Sequence, residues 1–307
     1  MPAIKTKRIS HKSVKRNFTT IGLILILYVL FVTFVPYLIN YFLNETYSPI
    51  LKDDYLYYGI YFIILLFGTI IPFFIMRKFS KVKLKRITRK VSATFVDLFV
   101  QTIVFFTICI ALTYVSNIIF NNINLDGKLI AGIGLTYDQA NLNNILYVFM
   151  LLIVSPILEE YAFRGVLLNT LSRYGKSFAL YASAIIFALA HNNFAEMIPA
   201  FAMGIALGKT SLRYKSIQPT IIIHILFNIF IYVLCIMPLS VVKYMAYALV
   251  GICVLAFALI LIGRYEKISI QGSKTNAIST RIFYSRFTVV FSMILMIAYT
   301  CLFTFAK

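Results

Sequence analysis

Long apolar runs, separated by short polar segments rich in lysine and arginine, dominate the chain. Nine such runs predict spans at roughly 18–43, 55–76, 95–120, 143–171, 177–193, 194–209, 216–237, 240–262 and 286–305. A helix needs about 20 apolar residues to cross hydrocarbon, and several of the runs meet that length. Backbone groups in lipid must bond within their own segment, so these runs predict helices. A β-barrel would show short alternating segments instead. The expected fold class is an all-α, polytopic membrane helical bundle of about nine transmembrane helices. Eight is the alternative count, because the break near 191–196 is so short.

Composition supports this reading. Of the 307 residues, 61% are hydrophobic, and the mean hydropathy is +0.89; a soluble domain is nearer half apolar. The first apolar run follows a basic tail ending at Arg16, yet it is too long for a secretory signal and no small-residue cleavage site follows it. It is expected to be a retained span. The sequence divides into a basic tail with the first three spans (1–142), a central region (143–237), and C-terminal spans with a basic linker at 263–286. That linker, with Gly272, Ser273 and Asn276, reads as a flexible cytoplasmic tether.

The net charge is +19, and the basic residues behind it gather in connecting segments. Lys5 to Arg16, Arg77 to Lys90, Arg173 and Lys176, Lys209 to Lys215, and Arg264 to Arg286 lie on one side, while only Lys52, Lys128, Lys243 and Lys307 fall on the other. By the positive-inside rule the N-terminus is cytoplasmic and Lys307 external. The expected location is the plasma membrane, as a multi-pass protein in contact with the lipid bilayer. Nucleic acid is not an expected partner, since no soluble domain carries a basic face. Cys109, Cys235, Cys253 and Cys301 each stand alone in an apolar run, as small apolar residues do. Ala200, Gly204 and Gly208 form a small-residue stripe suited to close helix packing.

Ionisable residues within spans are costly and mark functional sites. Asp97 and Glu196 are expected near interfaces or turns. The remainder form a group: Glu159, Glu160 and Arg164 in the fourth run, His191 at the end of the fifth, and His224 with Asn228 in the seventh. Glu159 lies sixteen residues before Gly175 and His191 sixteen after it, so an antiparallel hairpin turning at Gly175 brings them level, roughly 18–24 Å from the turn. His224 lies nine residues past Lys215, roughly 13 Å from the same side. The three share a depth expected to open to the cytoplasm. Glu160 and Arg164 are spaced i,i+4 and can neutralise each other, leaving Glu159 without an intrahelical partner. His224 and Asn228 share a face. A free carboxylate, two histidines and an amide suit hydrolysis, with a base to activate water and donors for the oxyanion.

The set Glu159-Glu160-x-x-x-Arg164, Phe187-x-x-x-His191 and His224-x-x-x-Asn228 resembles the CAAX protease and bacteriocin-processing (Abi) family, whose eukaryotic relative is the prenyl-CAAX endopeptidase. The resemblance covers about 143–235. It implies an all-helical intramembrane endopeptidase with a water-filled chamber, acting on a peptide or membrane-protein substrate. By that resemblance Glu159 and His191 activate water, His224 and Asn228 hold the oxyanion, and Glu160 with Arg164 orders the helix. No cofactor is expected, and no His-Glu-x-x-His motif is present; Glu159, His191 and His224 are the candidate ligands should zinc be bound. The alternative is a non-catalytic membrane scaffold or bacteriocin-immunity or signalling partner, although a scaffold has no need of costly buried charges. A transporter would show inverted repeats, and none is visible in the sequence.

Overall fold

The computed structural model describes residues 11–46, 54–83, 91, 95–120, 145–192, 194–237, 244, 248, 251 and 274–305. Every element among them is helical, as the apolar periodicity requires. Helix α1 (His11–Val29) runs through a wide turn at Leu30–Phe34 into α2 (Val35–Thr46). Then come α3 (Asp54–Phe79) and α4 (Phe95–Phe120). A long central rod follows: α5 (Ile145–Phe149), a π-helical turn Met150–Val154, α6 (Ser155–Glu159), a π-helical stretch Glu160–Leu168, and α7 (Asn169–Leu171) closed by a tight turn at Ser172–Tyr174. The remaining helices are α8 (Lys176–Leu189), α9 (Phe194–Tyr214), α10 (Gln218–Ile236), α11 (Lys274–Tyr284) and α12 (Phe287–Phe305).

Three helices among the described residues are long and apolar enough to span a bilayer: His11–Ile39, Tyr58–Phe79 and Ile145–Tyr174. The pair formed by α11 and α12, bent by 68°, makes a fourth if taken as one span. This falls short of the expected nine. Helix α8, with 14 residues, is about 21 Å long at 1.5 Å per residue, against roughly 30 Å of hydrocarbon. The expected span at 240–262 lies largely outside the described residues, as do the 121–142 loop and Lys90.

The linker at 263–286 is not wholly a tether. Residues 274–284 form α11, and its Phe283 is fully buried. The Phe283 ring packs edge-on to Phe18 at 5.1 Å and Phe178 at 5.3 Å, and Ser279 Oγ donates to the Tyr174 carbonyl at 2.7 Å. Polar composition hid an apolar edge whose burial outweighs the linker character.

The expected hairpin turn occurs at Gly175, whose φ of 133° is a region that side chains with a Cβ avoid. The small-residue stripe acts as anticipated. A Cβ on Gly204 would meet the backbone of Ala184, so α9 lies directly against α8. A ladder of rings then leads inward. Phe73 lies 5.3 Å from Tyr28 and 5.6 Å from Phe163; Phe163 lies 5.1 Å from Phe187; and Phe187 lies 4.7 Å from His191.

Candidate active site

The central rod carries the two glutamates at the junction between α6 and its π-helical continuation. A π-turn adds a residue per turn and re-aims the side chains that follow, and such turns gather at functional sites. Pro156 contributes as well. Ser155 N–H bonds Met150 O in the wide register, and the next donor in that register would be residue 156. Proline has no N–H, so the Leu151 carbonyl is left free, and Asn228 Nδ2 donates to it at 3.0 Å. This bond seats α10 against the rod and leaves Asn228 one further amide hydrogen.

Glu160 is fully buried. Its Oε1 meets Arg164 Nη1 at 2.8 Å and His224 Nδ1 at 3.0 Å. The Arg164 guanidinium lies over the Phe187 ring, 4.0 Å from its centroid, a cation–π arrangement that helps a buried cation tolerate low dielectric. The expected i,i+4 neutralisation is therefore present, and Glu160 does more than order its helix. A carboxylate only accepts, so His224 donates through Nδ1, and its Nε2 is directed toward Glu159 Oε2 at 3.8 Å.

Glu159 does have an intrahelical partner, contrary to expectation: Ser155 Oγ, one turn earlier, donates to its Oε1 at 2.5 Å. The i,i+4 spacing of Ser155 and Glu159 is the sequence signal for this bond. Glu159 Oε2 receives no hydrogen bond. His191 shares Nδ1 with the Phe187 carbonyl at 2.9 Å. A carbonyl only accepts, so Nδ1 carries the hydrogen and the neutral ring keeps Nε2 as its acceptor.

Glu159, His191, His224 and Asn228 line one cavity of about 220 Å³, whose apolar wall includes Met203, Phe227 and Ile231. A second cavity of about 520 Å³ adjoins it. Both are lined by Leu151, Ser155, Glu159, His191 and Glu196, so these residues form the waist between them. Glu196 was expected at a solvated turn. The left-handed residue Asn192, with φ 54°, ends the preceding helix abruptly, and the first turn of α9 folds Glu196 back onto the cavity wall. No periodicity in the sequence signals this. Asp97 lies in α4, but its side chain is outside the described ones.

The larger cavity follows Tyr58, Tyr61, Leu65 and Thr69 along α3, N-terminal to Arg77 and Lys78 in the last turn of that helix.

Among the described residues, no three His, Cys, Asp or Glu side chains are grouped to hold a metal ion. Glu159 Oε2 and His224 Nε2 lie 3.8 Å apart, and His191, held through Nδ1 by a backbone carbonyl, keeps its Nε2 lone pair.

Residues 141–230 match the family described as Type II CAAX prenyl endopeptidase Rce1-like, so this segment is similar to that family. Among individual proteins, the chain is 36% identical over 93 residues to the membrane-embedded CAAX protease MroQ of Staphylococcus aureus (strain USA300). That match covers 28% of this chain and 38% of MroQ, so the chain spans under two fifths of that relative's length. No solved structure matches the chain.

Proposed function

We propose that the protein is an intramembrane endopeptidase that hydrolyses a peptide bond of a peptide or membrane-protein substrate by glutamate and histidine chemistry. The observation that carries this reading is the meeting of Glu159, His191, His224 and Asn228 around one cavity inside a membrane helical bundle. Glu159 Oε2, free of hydrogen-bond donors, takes a proton from a water that His191 Nε2 helps to orient. The resulting hydroxide adds to the scissile carbonyl carbon. Its oxyanion is received by the remaining Asn228 amide hydrogen and by His224 Nε2–H when that ring carries both protons. Glu159 then returns its proton to the leaving nitrogen, the C–N bond breaks, and a carboxylic acid and an amine separate, the acid's proton passing to the amine. General-base and oxyanion contributions of this kind are each substantial.

Glu160 and Arg164 support the site by holding His224 and Phe187. The reading needs no metal or other cofactor. We also place the protein in the plasma membrane with a cytoplasmic N-terminus, which the basic connecting segments support. The test is comparative proteomics of membranes from cells carrying either the wild-type protein or Glu159→Gln. Peptides whose ends appear only with the wild type are the expected result. Identical end profiles, at equal protein levels, would overturn the reading in favour of a scaffold.

A further inference from the structure

A serine or threonine inside a helix commonly gives its hydroxyl hydrogen to the carbonyl one turn back. This chain does so repeatedly. Thr33 donates to the Val29 carbonyl at 2.5 Å, Thr113 to that of Cys109 at 2.8 Å, Ser172 to that of Leu168 at 2.6 Å and Thr300 to that of Met296 at 2.8 Å. Ser155 departs from this habit. The carbonyl one turn behind it is that of Leu151, which accepts from Asn228 Nδ2 at 3.0 Å. The Ser155 hydroxyl turns the other way and donates to Glu159 Oε1 at 2.5 Å.

A hydroxyl has one hydrogen to give, so the choice has a consequence for the site. Ser155 and Glu159 are the first and last residues of α6, and their i,i+4 spacing sets both side chains on one face. With Oε1 held, Oε2 is the oxygen left for chemistry. It is buried and, among the described residues, receives no hydrogen bond. His224 Nε2 stands 3.8 Å from it. Ser155 and Glu159 line both cavities, so the hydroxyl acts at the wall where substrate and water would meet. A glutamate side chain turns about several bonds, and misplacing a reacting group by about 1 Å can cost about 10²-fold in rate.

Building on the peptidase reading, we propose that Ser155 is a positioning residue for the general base, its hydroxyl fixing Glu159 Oε1 so that Oε2 alone meets the water. Ser155 takes no proton and forms no bond to the substrate. The Asn228 amide, by occupying the Leu151 carbonyl, keeps the hydroxyl turned toward Glu159.

The test uses the full chain in lipid nanodiscs and a fluorogenic peptide carrying a sequence that is cut in wild-type membranes but not in Glu159→Gln membranes. Ser155→Ala is expected to lower kcat by about 10- to 100-fold, the range that one hydrogen bond to a charged group spans, with KM and melting temperature held. The Glu159 carboxyl band is isolated as the infrared difference between each protein and its Glu159→Gln counterpart. It should shift in Ser155→Ala. Ser155→Thr keeps a hydroxyl, so band and kcat should return together toward the wild type, and a threonine variant with the shifted band should stay slow. Wild-type kcat in Ser155→Ala, a loss carried by KM or by a falling melting temperature, or a slow variant whose band is unmoved would each overturn the positioning role. With Glu159→Gln inactive, those results leave the peptidase reading standing. If no sequence is cut by the wild type alone, the peptidase reading falls instead, and the band still shows whether Ser155 holds Glu159.

Discussion

His224 Nδ1 lies 3.0 Å from Glu160 Oε1, the oxygen that also meets Arg164 Nη1 at 2.8 Å. One buried carboxylate oxygen thus joins the rod to α10 and sets which histidine nitrogen faces Glu159. The adjacent glutamates divide the work: Glu159 borders the cavities, and Glu160 is sealed behind it, orienting the histidine.

Glu159→Gln is expected to lower cleavage per folded molecule by about 10²–10⁴, the range for loss of a general base, with little change in melting temperature. Gln retains a carbonyl to accept from Ser155 Oγ but cannot take the water's proton. Turnover at the wild-type rate would remove Glu159 from the chemistry.

Glu160→Gln is expected to damage both stability and turnover. It leaves Arg164 charged and unpaired in a buried site, at a typical cost of about 3–5 kcal/mol, and takes the anionic acceptor from His224. Joining it to Arg164→Met removes the unpaired charge, so the melting temperature in detergent should recover. The rate per folded molecule should not, since His224 stays unanchored. A double variant regaining both would make Glu160 a purely structural residue.

Gly204→Val is expected to destabilise the protein by about 1–3 kcal/mol, the usual range for overpacking. Its Cβ would meet the Ala184 backbone, which cannot move without its helix, whereas the Cβ of Gly208→Ala meets only the tip of Leu180. The second substitution should therefore be milder. Thermal melts of the two variants side by side check this, and equal melting temperatures would refute the close approach of α8 and α9.

Cleavage is expected to survive thorough chelation, because the proposed steps use only side chains. Activity lost with stoichiometric zinc and restored on its return would replace this scheme with a metal-based one.

Reporter fusions after Lys90 and after Lys215 are both expected to read cytoplasmic, from the segregation of basic segments. An external signal at either position would invert the orientation.

Much was legible in the sequence. Hydropathy is a property of local composition, and lipid leaves the backbone only helical solutions, so the all-α class and most helix positions follow directly. Charges in such runs are too costly to be incidental, which singled out Glu159, Glu160, Arg164, His191 and His224. The i,i+4 rule paired Glu160 with Arg164, and the symmetric spacing about Gly175 brought Glu159 and His191 level. Contacts between distant segments were decided only in three dimensions. Glu160 meets His224 across 64 residues, and Asn228 finds the Leu151 carbonyl across 77. That carbonyl is free because a π-turn runs into Pro156. Glu196 reaches the cavity because Asn192 takes a left-handed turn, and α11 docks because Phe283 finds Phe18 and Phe178. Each depends on where separate helices lie relative to one another. Packing and backbone register settle that arrangement, and a periodicity read along one segment carries no information about it.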